Sequence, residues 1–345
     1  MESAETVRIG HQVVRVPPGG RVVLDPPSPI PALTRLDKPR WNLSAGAIGI
    51  IERLARTRYE VARLMPEEET LWGSAADPSG APIPAPSNSP ATEREIVDPI
   101  AQSVWASTQI EGESVYVEDL NLAIVGQPPR KGASPEYLER ARSTRAIYEA
   151  YLWALSEPFP LAGNQTVTRE FITELHKRMF ASTKPDQAGK LKDKQNRVQW
   201  GGHVELVVLP PNRVAEFLDR ACDRVNSAFV VADTTARYSK LIAVAEFLVD
   251  FLAIHPFADG NGRTARLLST YLLERAGFHF ARFYSLDVII LERQQLYYKA
   301  LFESQKHWLL DTENVGPWVE FYLDAILTQW LRAHEKMVVE ARNRS

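Results

Sequence analysis

The sequence predicts a mainly α-helical fold with one inserted β-hairpin, and three observations lead to this prediction. From Glu93 onwards, apolar residues recur at the three- and four-residue steps of amphipathic helices in most segments. Only residues 197–209 show the two-residue spacing of a strand. A Pro/Ser/Ala/Gly tract over 73–90 divides the chain in two.

The first part of the chain is predicted to be an arm, a helix and a linker. Residues 1–40 are rich in proline and carry short β-like runs, so we expect an extended arm. Over 43–65, apolar residues return at helical steps and predict one helix. The tract over 73–90 holds neither a helix nor a central strand, because proline and glycine punctuate it. We therefore divide the chain into 1–92 and a second domain over 93–345.

The second domain is predicted to be a bundle of helices that contains the hairpin. Helical periodicity places helices near 98–111, 117–125, 135–156, 166–181, 213–229, 236–254, 262–276, 293–308 and 315–341. Val204, Leu206 and Val208 recur at strand spacing. Gly201-Gly202 is suited to the turn of the hairpin, and Pro210-Pro211 ends its second strand.

Composition and charge favour a soluble cytoplasmic protein with no nucleic-acid or membrane partner. The 40 basic and 43 acidic side chains give a formal net charge of -3, without the basic excess of a nucleic-acid binder. The single Cys222 cannot form an internal disulfide, and the N-terminus lacks a secretory signal pattern. The most apolar stretch, 241–254, is too short to span a bilayer.

The run 255–266 reads His-Pro-Phe-Ala-Asp-Gly-Asn-Gly-Arg-Thr-Ala-Arg and has the order of a catalytic loop. Pro256 disfavours helical geometry at the residue before it, so His255 is expected at a helix-to-loop junction. Gly260 and Gly262 allow the backbone to approach a ligand closely.

The helix that restarts after this loop is expected to bind anions. Its first turn directs free N–H groups and the positive end of the helix dipole at the loop, and Arg263 and Arg266 share one face there. Asp259 is suited to a hydrated Mg²⁺, which takes one or two carboxylates together with phosphate oxygens. Each feature alone is more often structural, so the prediction of a polyphosphate site depends on their joint order and spacing.

A second signal lies over 98–112, where Asp98 is a good N-cap and Gly112 fits the helix end. Glu111 shares one face of this helix with three residues, Ile100, Val104 and Ser107. A carboxylate on the buried face needs a cationic partner. The alternative is an ordinary glutamate at a fraying helix end.

The run 255–266 resembles the Fic family pattern His-x-Phe-x-Asp/Glu-Gly-Asn-Gly-Arg-x-x-Arg, with every specified residue present. The resemblance implies a Fic-type helical bundle with a β-hairpin flap. It also implies that His255 is the general base for a target hydroxyl and that Asp259 binds Mg²⁺.

The same resemblance implies how ATP is held. Gly260, Asn261 and Gly262 would cradle the α- and β-phosphates, Arg263 would bind the β-phosphate, and Arg266 would reach the γ-phosphate. Attack at the α-phosphorus transfers AMP and releases pyrophosphate.

The segment over 98–112 resembles the inhibitory helix of many Fic proteins, whose pattern Ser/Thr-x-x-x-Glu-Gly/Asn is matched by Ser107, Glu111 and Gly112. The implied partner of Glu111 is Arg266, at the γ-phosphate position. In some relatives this glutamate also positions a water that removes AMP from the target, and both roles stay open here.

Two further assignments come from the resemblance. Glu205, Leu206, Val207 and Val208 would form the flap that aligns a target segment by strand addition, although this ribbon is also suited to a purely structural role. Tyr297 is expected near the adenine, with packing between helices as the alternative.

The function implied is adenylylation (AMPylation) of a Ser, Thr or Tyr hydroxyl on a protein, this chain itself included, and a homodimer is expected by analogy. Within enzymes, the alternatives are AMP removal, a bifunctional cycle, or transfer of UMP, phosphate or phosphocholine. The alternative from another class is a non-catalytic regulatory or binding module.

Overall fold

A computed structural model describes the chain over residues 5–9, 12–16, 22–24, 44–64, 98–113, 115–127, 132–156, 165–200, 204–230, 236–310 and 314–344. Within these ranges it contains eleven α-helices and five short strands. The fold is mainly α-helical, which confirms the predicted class.

The first elements are three strands and one helix: β1 (Glu5–Ile9), β2 (Gln12–Val16), β3 (Val22–Leu24) and α1 (Ala45–Leu64). Four helices precede the remaining strands: α2 (Pro99–Ile110), α3 (Val117–Ile124), α4 (Pro135–Ser156) and α5 (Arg169–Phe180). The hairpin strands are β4 (Arg197–Trp200) and β5 (Val204–Val207). Six helices complete the chain: α6 (Val214–Phe229), α7 (Ala236–Ile254), α8 (Asn261–Arg275), α9 (Leu286–Glu292), α10 (Gln294–Gln305) and α11 (Gly316–Arg344).

Every predicted helix is present, with ends shifted by up to three residues, but periodicity missed α9. This helix has seven residues and is capped at its N-terminus by Ser285, whose Oγ accepts a hydrogen bond from Val288 N at 3.3 Å. Ile289 and Ile290 are buried in it. A short apolar run with neighbouring buried residues has no amphipathic period, so periodicity does not predict this helix.

The predicted hairpin pairs β4 and β5 antiparallel, from Arg197 opposite Val207 to Trp200 opposite Val204. Its predicted Gly201-Gly202 turn lies outside the described residues. In the described part of the predicted arm, β1 pairs antiparallel with β2, and β3 pairs in parallel with β5. The pairing of β3 with β5 joins residues far apart in the chain, so it leaves no local pattern in the sequence.

The predicted linker over 73–90 also lies outside the described residues, so the division at 92/93 stays a prediction. Elements from either side of it contact each other. The strand β3 pairs with β5, and Ser44 Oγ at the start of α1 hydrogen-bonds to Glu320 on α11.

Helix α7 lies at the centre of the bundle, where it packs against α6, α8, α10 and α11. Val244, Phe247 and Phe251 are completely buried, as expected of a helix that is apolar on every side. Its buried Asp250 is compensated by an ion pair with Arg224 and a 2.7 Å hydrogen bond from Trp308 Nε1. The last residue of α7, Ile254, and the first residue of α8, Asn261, are both buried. None of the helices in the described ranges is both long and apolar enough to cross a membrane.

Candidate active site

His255 follows the last turn of α7 in a left-handed backbone conformation, with φ of 52°, which is uncommon for a residue other than glycine. Its backbone N–H still bonds to Phe251 O at 2.9 Å. The ring Nδ1 lies 3.1 Å from Leu252 O, and because a carbonyl only accepts, Nδ1 carries the proton. The lone pair is therefore on Nε2, which is the arrangement a general base needs.

Burial lowers the pKa of His255 to about 4, and the positive charge of Lys192 contributes in the same direction. The hydrogen bond to Leu252 and the negative charges of Glu111 and Asp259 oppose this shift. The imidazole is consequently neutral throughout the physiological pH range.

Lys192 holds the helix-to-loop junction in place. Its buried ammonium group donates to Ile254 O at 3.2 Å and to Asn196 Oδ1 at 2.9 Å, while its backbone N–H donates to Pro256 O at 2.8 Å. Asn196 Nδ2 in turn donates to Phe257 O at 3.0 Å. Burial lowers the pKa of Lys192 to about 7. The sequence offered no signal for this residue, because it sits in a run of charges that resembles a solvated surface.

The Asn261 side chain stabilises the loop by hydrogen bonds to its backbone. Its Oδ1 accepts from Phe257 N at 2.9 Å, and its Nδ2 donates to Phe257 O at 2.8 Å. This side chain therefore shapes the loop, and only its backbone is available at the N-terminus of α8. Gly260 precedes that helix with φ of 78°, and an added Cβ would collide with the Phe180 ring.

His176 supports the same loop from α5. Its ring stacks on Phe257 with centroids 3.7 Å apart. Gly189 N donates to Nδ1 at 2.9 Å, so Nε2 carries the proton and donates to Asp259 O at 3.0 Å. Burial lowers the pKa of His176 to about 4. Both ring nitrogens are engaged, which fits a structural role.

Arg266 is only 3% exposed and contacts the C-terminal turn of α2. Its Nε donates to Ser107 Oγ at 2.8 Å, and its Nη2 donates to Ser107 O at 3.1 Å and to Glu111 Oε1 at 2.7 Å. The structure thus brings Ser107, Glu111 and Arg266 together. Gly112 does not belong to this contact; its φ of 76° ends α2.

Arg263 lies one turn earlier on α8 and is also 3% exposed. Its Nη1 donates to Glu113 Oε2 at 2.6 Å, and its guanidinium lies 4.8 Å from the centroid of the Phe180 ring. Its Nη2 lies 3.7 Å from Asp259 Oδ2. Its Nε is buried with no hydrogen-bond partner in the part of the chain that the structure describes. Glu113 was not predicted from the sequence, where its only signal is its position two residues after Glu111.

Residues 166–273, which include the loop and both arginines, match the model of the Fic/DOC family. Residues 166–273 therefore form a Fic domain. This confirms the resemblance inferred from the run 255–266.

Curated relatives of the Fic domain are named protein adenylyltransferase Fic. The protein from Drosophila willistoni is 32% identical over 161 residues, which cover 46% of this chain and 27% of the relative. The Drosophila melanogaster protein is 31% identical over 161 residues, 46% of this chain and 28% of its own length. The matched stretch thus spans little more than a quarter of these relatives.

Solved structures share the fold at low sequence identity. A Fic family protein from Desulfovibrio desulfuricans G20 superposes with a TM-score of 0.60 at 19% identity, covering 88% of this chain and 77% of its own. Fic-1 from C. elegans gives a TM-score of 0.54 at 21% identity, covering 70% of this chain and 64% of its own. These likenesses concern the fold alone.

Asp259 projects from the Fic loop with 46% of its side chain exposed. Burial alone would raise its pKa, but the hydrogen bond from Lys184 and the charge of Arg263 hold the pKa below its usual value. The carboxylate is therefore ionised. Among the described residues, no group of three or more His, Cys, Asp or Glu side chains is arranged to hold a metal ion.

Tyr297 is buried at the base of the site, where its ring packs against Tyr298, Trp318 and Phe321 and its side chain lies beside Arg266. This position agrees with the alternative that Tyr297 packs between helices, and its contact with adenine stays a prediction. The neighbouring Tyr298 donates from its hydroxyl to Ile110 O at 3.0 Å, which fixes the end of α2.

The four flap residues Glu205, Leu206, Val207 and Val208 are buried. They are tied to β4 and the preceding loop, since Arg197 pairs with Glu205 at 3.4 Å and Gln195 Nε2 donates to Val208 O at 2.8 Å. Because β3 pairs with β5 on the side opposite β4, β5 is the central strand of this sheet. A target strand could add directly to β5 only if β3 were displaced.

The low pKa of His255 predicts an unusual pH profile for any reaction in which it acts as the base. A base with the ordinary histidine pKa of about 6.5 loses half its activity at that pH. With a pKa of about 4, kcat/KM should stay level from pH 8 to 5 and fall only as His255 becomes protonated. In Lys192→Met the loss of a positive charge should move this fall to higher pH. Lys190→Met, at an exposed position, is the control; coincident profiles for the two variants would contradict the assignment.

Proposed function

We propose that this chain transfers AMP from ATP to a hydroxyl group of a protein. The observation that carries the proposal is a neutral His255 at the end of α7, with its lone pair on Nε2, and two buried arginines on α8, the helix that follows the same loop. This arrangement pairs a base for a hydroxyl with a site for a polyphosphate. The names of the curated relatives support the same activity.

Two features of the site fit the phosphates of ATP. Arg263 has a buried Nε without a partner among the described residues, which is available to a phosphate oxygen. A Cβ added at Gly262 would collide with the carboxylate of Glu111, so an anion already lies against the first turn of α8. A nucleotide phosphate that replaced this carboxylate would find the same N–H groups and Arg266.

In the proposed reaction, His255 Nε2 accepts the proton of a Ser, Thr or Tyr hydroxyl while the oxygen attacks the α-phosphorus. The new O–P bond forms as the bond from the α-phosphorus to the bridging oxygen breaks, and pyrophosphate leaves. Arg263 and Arg266 stabilise the charge that develops on the leaving group. Asp259 would hold Mg²⁺, whose charge would assist the same departure.

We also propose that α2 inhibits this reaction. Glu111 pairs with the arginine that would bind the γ-phosphate, so a productive ATP has to displace it. A second candidate activity, removal of AMP from a modified protein, is favoured by the charge of Glu111 acting on His255. A carboxylate whose charge acts on the base would also serve to orient a water.

Mass spectrometry of a cell lysate treated with the Glu111→Gly variant, ATP and Mg²⁺ tests the proposal. We expect peptides that carry AMP on Ser, Thr or Tyr, and none after treatment with Glu111→Gly/His255→Ala. Peptides that carry UMP, phosphate or phosphocholine instead would assign the domain to one of the other transfer reactions. Loss of AMP from a modified target, dependent on Glu111, would favour the removal activity.

A further inference from the structure

We propose that Glu113 is a specificity-determining residue that competes with the second phosphate of a nucleotide for Arg263. The inference rests on the proposed function, because it concerns the same nucleotide site. Glu111 would act on the third phosphate through Arg266, and Glu113 would act on the second phosphate through Arg263. The site would then be restrained by two carboxylates, each matched to one arginine.

The contact between Glu113 and Arg263 is short, and the arginine is much more deeply buried than the glutamate. Glu113 Oε2 lies 2.6 Å from Arg263 Nη1, and the arginine side chain is 3% exposed whereas the glutamate side chain is 33% exposed. Arg263 cannot turn away from the site, since it is confined between Phe180 and the loop. Glu113 has solvent on one side, so it is the partner that can leave.

The end of α2 explains why two carboxylates reach two arginines. Gly112 takes a left-handed conformation and its N–H bonds to Gln109 O at 3.0 Å, while Glu113 N bonds to Thr108 O at 2.9 Å. This pattern is a Schellman termination, which fixes the backbone on both sides of the glycine. It places Glu111 before the turn and Glu113 after it.

The helix that carries the two carboxylates is itself anchored. Ile110 O accepts from Gln294 Nε2 and from the Tyr298 hydroxyl, each at 3.0 Å. Because α10 holds the last carbonyl of α2, the two glutamates face α8 from a fixed backbone. Displacement of Glu113 by a phosphate therefore requires only a side-chain movement.

The ion pairs Glu111–Arg266 and Glu113–Arg263 predict that the effect of each glutamate on nucleotide affinity depends on the number of phosphates. A phosphate that takes Arg263 must first break the ion pair with Glu113, and this cost lowers its affinity. AMP has no second phosphate and should be indifferent to Glu113. ADP and ATP should both respond to Glu113, whereas loss of Glu111 should favour ATP over ADP, because only ATP has the third phosphate that takes Arg266.

Isothermal titration calorimetry of the full chain with ADP and AMP tests this dependence on phosphate number. These ligands are chosen because neither can donate AMP with loss of pyrophosphate. We expect Glu113→Gln to tighten ADP binding by about fivefold, as for a partly exposed ion pair, and to leave AMP within about twofold. Glu111→Gly should tighten ATP more than ADP, because only ATP has the third phosphate that takes Arg266. Glu118→Gln, which alters an exposed carboxylate in the first turn of α3, is the matched control.

Unchanged ADP affinity in Glu113→Gln, with a melting temperature equal to that of the unaltered chain, would overturn the inference. An equal change in AMP affinity would also overturn it, because the effect of Glu113 would then not depend on the second phosphate. If ADP tightens as expected but no variant ever transfers AMP, the inference is supported and the proposed function fails. A chain that binds no adenine nucleotide in any variant contradicts both.

Discussion

Replacing Glu111 with glycine is expected to raise the rate of AMP transfer by roughly ten- to hundredfold, the equivalent of one charge-assisted hydrogen bond. The 2.7 Å contact with Arg266 would be lost, which leaves that guanidinium for the γ-phosphate. Arg266 would keep its hydrogen bonds to Ser107, so its position would be maintained. The measurement is the initial rate of incorporation of labelled AMP at saturating ATP and Mg²⁺.

The control for this change is Glu118→Gly, the same substitution at an exposed glutamate in the first turn of α3. It should leave the rate at the low level of the unaltered chain. If Glu111→Gly is no faster than this control while both variants remain folded, α2 does not inhibit the domain. A loss of folding in Glu111→Gly would be visible as a lower melting temperature, and Glu111→Gln then provides the more conservative replacement.

Replacing His255 with alanine in the Glu111→Gly background should lower transfer by about 10²–10⁴-fold, the usual contribution of a general base. The Nε2 lone pair is removed, whereas Arg263, Arg266 and the first turn of α8 are not altered. ATP affinity should therefore stay within a few fold, as measured by titration with ATP. A rate that fell together with a large loss of ATP affinity would indicate that His255 supports the phosphate site instead of the chemistry.

The sequence was sufficient to predict the helices with strong periodicity and clear ends. Asp98 accepts from Ile100 N at 2.8 Å and starts α2 next to Pro99, as the capping pattern indicated. The parallel pairing of β3 with β5 was not predictable, because partners nearly two hundred residues apart share no local pattern. Helix α9 was missed because it is short and its apolar run has no helical alternation.

The site was predictable where a motif specified it and not where packing did. The run 255–266 located His255 and both arginines, and the spacing over 98–112 placed Glu111 on the face that meets Arg266. Lys192 and Glu113 were missed because their roles depend on which elements pack together. In the sequence, a lysine in a charged run and a glutamate after a helix end look like ordinary surface residues. Only the tertiary structure shows that Lys192 contacts the loop after α7 and that Glu113 contacts the buried Arg263.

The most direct test of the central proposal compares two forms of labelled ATP with the Glu111→Gly variant. With label on the α-phosphate, we expect radioactivity on protein, dependent on His255 and increased over the unaltered chain. With label on the γ-phosphate, we expect none on protein and all of the consumed label in pyrophosphate. Label on protein from the γ-phosphate, or from neither position while ATP binds, would contradict an AMP transferase that is restrained by its own helix.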